Sequence, residues 1–237
     1  MIHHRPVEAV LFDFHGTLAQ VEPPVRWVRR AAAACGVQLD EARATALADV
    51  FLIAGRAGGP PPAKLPPALA EVYADRDLSP QAHRAAYTGL ADTVPHGIEG
   101  LATALYERLL IPDGWQTYPD TVPTLRELRR RGVPVAVVSN IGFDIRPLCE
   151  AFGFADLVDA WVLSYEVGTC KPDVAIFQYA CDRLGVAPHR ALMVGDSRAD
   201  AAAAEAGCEV LILPASPPGS PHGLGGVLRL LGPSEVS

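Results

Sequence analysis

Five apolar runs decide most of what this chain can fold into: VEAVLFDF (7–14), VPVAVVSN (133–140), AWVLSY (160–165), ALMVGD (191–196) and EVLILP (209–214). A strand with one face in water alternates apolar and polar residues, whereas these runs are nearly continuous, as strands covered on both faces must be. Between the later runs lie helix-like stretches: TVPTLRELRRRG, the segment around DIRPLCEAFG, PDVAIFQYACDRLG and DAAAAEAG. Gly132, Gly153, Gly185 and Gly207 close them, a common way for helices to end. Strand and helix in alternation with short links predict an α/β fold, an open parallel sheet wrapped by helices.

Residues 19–111 break that rhythm. They hold helix-like pieces (PPVRWVRRAAAACG, DEARATALADVFLIAG, SPQAHRAAYTGLADTV and IEGLATALYERLL) and no convincing strand. The expected organisation is therefore a Rossmann-like core formed by 1–18 and 112–237, with an all-helical insertion over 19–111. The proline-rich GGPPPAKLPPALAE reads as a loop or kinked connector inside the insertion. The tail from Ala215, rich in Pro, Gly and Ser apart from GGVLRLL, is expected to be partly mobile, and His3 and His4 to belong to a disordered start.

Charge and cysteine content narrow the function. A formal net charge of −7 argues against a general nucleic-acid or anionic-membrane surface, which would need a positive face. No apolar stretch reaches the eighteen or so residues of a membrane span. Five cysteines without CxxC spacing, and no signal peptide before the first strand-like run, suggest reduced thiols in a cytoplasmic protein; the sequence leaves monomer and homodimer equally open. Arginine occurs 18 times and lysine twice, at Lys64 and Lys171, so each lysine invites a question.

Ligands of doubly wound sheets bind beyond the carboxyl ends of the strands. Asp13 ends the first run, Ser139 and Asn140 the second, and Gly195 and Asp196 the fourth; Lys171 follows the third by a loop, and Asp200 lies one helical turn after Asp196. Any one of these residues could be a cap or a strand terminator. Their combination in this order is much harder to explain that way.

Here the sequence resembles the haloacid dehalogenase superfamily of hydrolases, in the branch with a helical cap inserted after the first motif. Asp-x-Asp-Gly-Thr-Leu is matched by Asp13 to Leu18 except at His15, the strand ending in serine at Ser139, Lys-Pro at Lys171 and Pro172, and Gly-Asp-Ser-x-x-Asp with its alanine-rich helix from Gly195 to Gly207. The resemblance implies a phosphatase acting on a small phosphorylated metabolite. Asp13 would be the nucleophile, forming an acyl phosphate that water then hydrolyses. Mg²⁺ would sit on Asp13 and Asp196, with the His15 carbonyl as a further ligand and Asp200 near the ion or its waters. Lys171 would neutralise the phosphoryl oxygens, while Ser139, the amide of Asn140 and the loop amides of Phe14 and His15 would hold the phosphoryl group.

His15 stands where family phosphatases usually carry the aspartate that protonates the leaving oxygen. Its backbone carbonyl survives the exchange, and imidazole can also donate and accept a proton near neutrality. Three roles stay open: a substitute acid/base, a specificity or gating residue, or other chemistry, including an impaired, ligand-binding protein. Phosphonate-cleaving relatives use a cap lysine, for which Lys64 is the sole candidate; dehalogenases typically lack the acid found here at Asp196. Arg56, with Gly55, Gly58 and Gly59, reads as a flexible connector or a substrate loop. Trp27, Trp115, Tyr73 and Tyr87 read as packing residues, and His83 and His96 as exposed ones.

Overall fold

The computed structural model describes residues 7–217 and 219–231, so the His3 and His4 expectation lies outside the described residues. β1 (Ala9–Phe12) leads through β2 (Ala19–Val21) into five helices, α1 (Pro24–Ala34), α2 (Glu41–Ala54), α3 (Ala70–Ala74), α4 (Pro80–Asp92) and α5 (Leu101–Glu107), and the chain returns through β3 (Trp115–Thr117). Then follow α6 (Thr121–Arg130), β4 (Val135–Ser139), α7 (Arg146–Ala151), β5 (Ala160–Leu163), α8 (Ser164–Val167), α9 (Val174–Leu184), β6 (Ala191–Gly195), α10 (Arg198–Ala201), β7 (Glu209–Ile212) and α11 (Gly225–Leu230).

All five expected strands form, in one parallel sheet of order β5-β4-β1-β6-β7. Every residue of β1, β4 and β6 is buried, which is why those runs carry no polar alternation. On one face Leu11, Ala136, Val138 and Met193 pack with Ile176 and Phe177 of α9. Each such large apolar side chain contributes roughly 1.5–3 kcal/mol by leaving water. Since β4 and β6 flank β1, the strand order reverses beside β1, and Phe12 pairs with both Val137 and Val194. That register sets Asp13, Ser139 and Asp196 along the carboxyl edge at the reversal, where such sheets bind ligands.

The chain divides into two compact units. Of the described residues, one holds those up to Gln20, Thr117–Asn140 and those from Cys149 onward; the other holds Val21–Gln116 and Ile141–Leu148. In the second unit α1 and α2 bring small residues together, with Ala31, Ala32, Ala44 and Ala48 buried beside Trp27, Phe51, Leu101 and Leu105. Asp40 caps α2 by accepting from the Arg43 amide at 2.8 Å, and Ser79 caps α4 by accepting from the Ala82 amide at 3.0 Å. The proline-rich segment supplies a short turn of 3-10 helix, Pro67–Leu69, leading into α3.

Several expectations for individual residues need correction. The insertion is not free of strand, because β2 begins at Ala19 and pairs with β3; at three residues each, both are too short to show periodicity. Residues 141–148, read from the sequence with the core, cluster with the inserted unit: a Cβ on Gly142 would lie 2.4 Å from that of His83, and the Phe143 ring centroid is 5.3 Å from the His83 ring. His83 is thus buried, not exposed. Its Nδ1 shares a 2.9 Å hydrogen bond with the Tyr106 hydroxyl, and burial, with Arg76 nearby, pushes its pKa down to about 3, so it is a neutral core histidine. His96 is half-buried, accepting from the Ile98 amide. Arg56 is no flexible connector: it is buried, with its guanidinium 4.1 Å over the Trp27 ring and one N–H donated to the Glu22 carbonyl. Trp27 and Trp115 do pack, each donating its indole N–H to a carbonyl, of Leu105 and Leu109. All five cysteines are free thiols. Among the described residues no helix is long and apolar enough to cross a membrane.

Candidate active site

Asp13 follows β1 and is held there by its amide, which donates to the Val194 carbonyl of the neighbouring strand at 2.9 Å. Directly after it the chain turns hard: the Phe14 carbonyl accepts from the amides of Leu18 and Ala19 at 2.9 and 3.0 Å, and the Gly16 amide donates to the Ala19 carbonyl at 2.7 Å. The Phe14 side chain is fully buried, while His15 stands in the turn, half-buried and bridged to Ala19. Glycine is required at 16 twice over. Its φ is +87°, and a Cβ there would lie 2.1 Å from Asp196 Oδ2. The turn is therefore pressed against the acid that ends β6.

Lys171 brings the acids together. Its Nζ donates to Asp13 Oδ1 and to Asp200 Oδ1, both at 2.6 Å, and all three side chains are more than nine-tenths buried. Asn140 fixes the lysine from behind: its Oδ1 accepts from the Lys171 amide at 2.7 Å and its Nδ2 donates to the Lys171 carbonyl at 2.8 Å. The amide side chain of Asn140 is thus a brace for the lysine. Ser139, at the end of β4, is buried.

Asp200 has a second task. Its Oδ2 accepts from the Ser197 hydroxyl at 2.6 Å and from the amides of Ser197 and Asp196 at 3.0 and 3.2 Å, while the Ser197 hydroxyl accepts in return from the Asp200 amide. This reciprocal cap starts α10 and sets the turn carrying Asp196. Gly195 is needed for it, because a Cβ there would lie 2.3 Å from Asp200 Cγ.

Carboxylate oxygens of Asp13, Asp196 and Asp200 lie within 4.8 Å of one another. Three carboxylates against one ammonium leave an excess of two negative charges when all are ionised. Burial pushes Asp13 up to about 7, against the pull of Lys171 and with Asp200 and Asp196 adding to the rise. Burial and Asp200 likewise raise Asp196. Lys171 stays charged because Asp13 and Asp200 outweigh the burial that opposes its ammonium. Hard oxygen donors at this spacing, with uncompensated negative charge, fit a divalent cation.

The structure thus assembles Asp13, Lys171, Asp196 and Asp200 directly, with Asn140 bracing Lys171 and Ser139 on the same sheet edge. Lys64, by contrast, is exposed on the inserted unit, without the desolvation that an imine-forming amine requires. Sequence reasoning passed over Tyr118, Asp120 and His222. Tyr118 lies close enough to Asp196 and Asp120 for burial and these acids to raise its phenol pKa. No spacing rule links position 118 to 222; an aspartate two residues after an aromatic residue at a helix start was the only available signal.

A model of the haloacid dehalogenase-like hydrolase family matches residues 7–207. Among curated proteins, the haloacid dehalogenase-like hydrolase domain-containing protein 3 of Mus musculus is 37% identical over 97 residues, covering 41% of this chain and 39% of that protein. A phosphoglycolate phosphatase of Pasteurella multocida is 35% identical over 96 residues, 40% of this chain and 43% of that protein, so the chain spans about two fifths of the length of these relatives. Among solved structures, a dehalogenase with an intermediate complex superposes with a TM-score of 0.67 at 24% identity, covering 96% of this chain and 98% of that one. An HAD phosphatase from Thermococcus onnurineus gives 0.59 at 24% identity, over 97% and 100%. These likenesses show the fold. With four motifs gathered on one sheet edge and a family match across most of its length, the chain belongs to the haloacid dehalogenase-like hydrolases.

Proposed function

We propose that this hydrolase is a Mg²⁺-dependent phosphatase of a small phosphorylated metabolite, with Asp13 as nucleophile. The observation that carries the reading is the buried contact of Asp13 with Lys171, beside an acidic cluster suited to a divalent cation. A carboxylate approaching a phosphate dianion meets repulsion, which cations at the site must offset.

Asp13 attacks phosphorus, the bond from phosphorus to the leaving oxygen breaks, and an acyl phosphate forms on the carboxylate; water then attacks that phosphorus, releasing phosphate and restoring Asp13. Lys171, locked by Asn140 and Asp200, keeps one positive charge beside the attacking oxygen throughout. Ser139 and the turn amides after Asp13 would hold the remaining phosphoryl oxygens. Mg²⁺, held by Asp13 and Asp196 with the His15 carbonyl and Asp200 as further candidates, would supply the rest of the charge neutralisation. His15 would donate the proton that the leaving oxygen needs, a contribution of about 10²–10⁴-fold in rate. The inserted helical unit would act as the cap that excludes water until the acyl phosphate forms.

Asp196 favours this reading over carbon–halogen cleavage, since an acid there serves a cation. The relatives named phosphoglycolate phosphatase make phosphorylated small acids a sensible first group of substrates. The test is a panel of acid, sugar, polyol and nucleotide phosphates assayed with and without Mg²⁺ on the wild type, His15→Ala and His15→Asp. Turnover that requires Mg²⁺ and falls in His15→Ala but returns in His15→Asp supports it. Equal rates in the presence and absence of chelator overturn the metal-dependent reading, and unchanged kinetics in His15→Ala overturn the acid/base role.

A further inference from the structure

The tail expected to be mobile is tethered where its described residues pass the start of α6. The Asp120 carboxylate accepts three successive backbone amides: Oδ1 from His222 at 2.8 Å, and Oδ2 from Gly223 at 2.8 Å and Leu224 at 2.9 Å. At the other end of α6, Arg131 donates to the Leu228 carbonyl at 3.2 Å, so α11 is tied down as well. A carboxylate collecting three amides is a strong anchor, because each bond is charge-assisted.

The anchor delivers His222 to a specific place. Its ring is 2% exposed and stacks on Tyr118, with centroids 4.2 Å apart and planes 14° apart. The Tyr118 amide donates to the Leu18 carbonyl, and the Thr121 hydroxyl donates to the same carbonyl at 2.7 Å. Residues 118–121 therefore already grip the end of the turn that follows Asp13. Neither ring nitrogen of His222 has a protein partner within hydrogen-bond geometry, yet the Gly16 backbone lies near enough to favour the protonated ring against its burial. A buried imidazole left to pack alone is a poor choice beside phenylalanine, since its polar atoms lose water and gain nothing. Its stack on Tyr118, whose amide holds the Leu18 carbonyl, sets the ring beside the turn that contains Gly16, the glycine pressed against Asp196.

We propose that His222 is a positioning residue for the nucleophile turn: the Asp120-anchored tail carries its ring against Tyr118 and Gly16, and a ring N–H steadies the Phe14–Leu18 backbone and hence the Asp13 carboxylate. The inference rests on the reading of Asp13 as nucleophile, but its effect on the turn is visible without turnover. The experiment compares full-length wild type with His222→Phe, His222→Gln and Asp120→Ala. It reads amide hydrogen exchange over residues 11–20, melting temperature, and kcat and KM for p-nitrophenyl phosphate with Mg²⁺.

His222→Phe keeps the stack and removes the N–H, so it should melt at or above the wild-type temperature while exchange over the turn quickens and kcat drops by about tenfold to a hundredfold at unchanged KM. His222→Gln, which keeps an N–H, should recover much of both, and Asp120→Ala should resemble His222→Phe in exchange and kcat. Wild-type exchange and kcat in His222→Phe, whatever its melting temperature, overturn the proposal. So does a fall in melting temperature in Asp120→Ala with kcat and exchange of the turn intact, because the tail would then serve stability alone. Asp13→Asn, assayed alongside, separates the two readings: full turnover in it removes the nucleophile assignment and leaves the exchange result standing.

Discussion

Both units of this protein bury charged groups, and they do so differently. At the sheet edge, Asp13, Asp196 and Asp200 share one cation, Lys171, and the balance is unfavourable enough to push Asp13 up to about 7. In the inserted unit, Glu22 is matched several times over: Arg108 donates to Oε1 at 2.6 Å, Arg26 lies 3.2 Å from Oε2, and Asp113 pairs with both arginines. Charge left in deficit marks a candidate ligand site, whereas charge compensated internally is what architecture needs. Burial alone would not have told the two apart.

The largest test of this contrast is Asp13→Asn. On the proposed reading of Asp13 as nucleophile, turnover should fall by at least about a thousandfold, because the whole covalent route would go with it. Stability should move the other way. Asp13 has a folded pKa above its unfolded value, so its contribution is complete below about pH 4, its unfolded range, and lost as pH rises through about 7. The metal-free variant should therefore melt higher than metal-free wild type at pH 8 and close to it at pH 4, in paired thermal melts. A lower melting temperature at pH 8 would show that the site is not strained by its charge.

Glu22→Ala should do the reverse. Taking away the acceptor of the Arg108 Nε–H, and leaving that arginine to Asp113 alone, should cost about 1–3 kcal/mol of stability in denaturant titrations, with kcat per folded molecule unchanged. A comparable kcat loss at wild-type stability would put Glu22 in the chemistry and erase the contrast.

A smaller effect concerns the cation. Protonated Asp13 cannot ligate, so Mg²⁺ affinity should weaken by up to about tenfold for each pH unit below 7, with proton uptake on release, by calorimetry at pH 6, 7 and 8. Equal affinity at pH 6 and 8 would take Asp13 out of the cation site. The smallest effect belongs to His83→Phe, which leaves the Tyr106 hydroxyl without its partner and should cost about 1 kcal/mol with no change in pH profile.

How much of this was legible in advance depended on the reach of each feature. The strands of the sheet announced themselves because a strand buried on both faces writes its environment into consecutive residues, as VAVVS of β4 does. Tight turns are equally local, so the turn after Asp13 was readable as part of a motif, and Asp40 and Ser79 stand at the head of the helix-like stretches that they cap. The corrected residues are those whose surroundings come from afar. His83 meets Tyr106 across 23 positions, Arg56 meets the Glu22 carbonyl across 34, and His222 meets Asp120 across 102. A polar side chain is indistinguishable from a surface one until its partners are known.

Sequence alone determined the parallel sheet and the polar residues that end its strands, because period, punctuation and strand ends are properties of neighbours in the chain. Tertiary structure decided the rest: that Lys171 joins Asp13 to Asp200, that Asn140 serves as its brace, and that a loose-looking tail is anchored on Asp120 at the start of α6. Those are facts of distance and burial, and the electrostatics of a group follow from what surrounds it in space rather than from what precedes it in the chain.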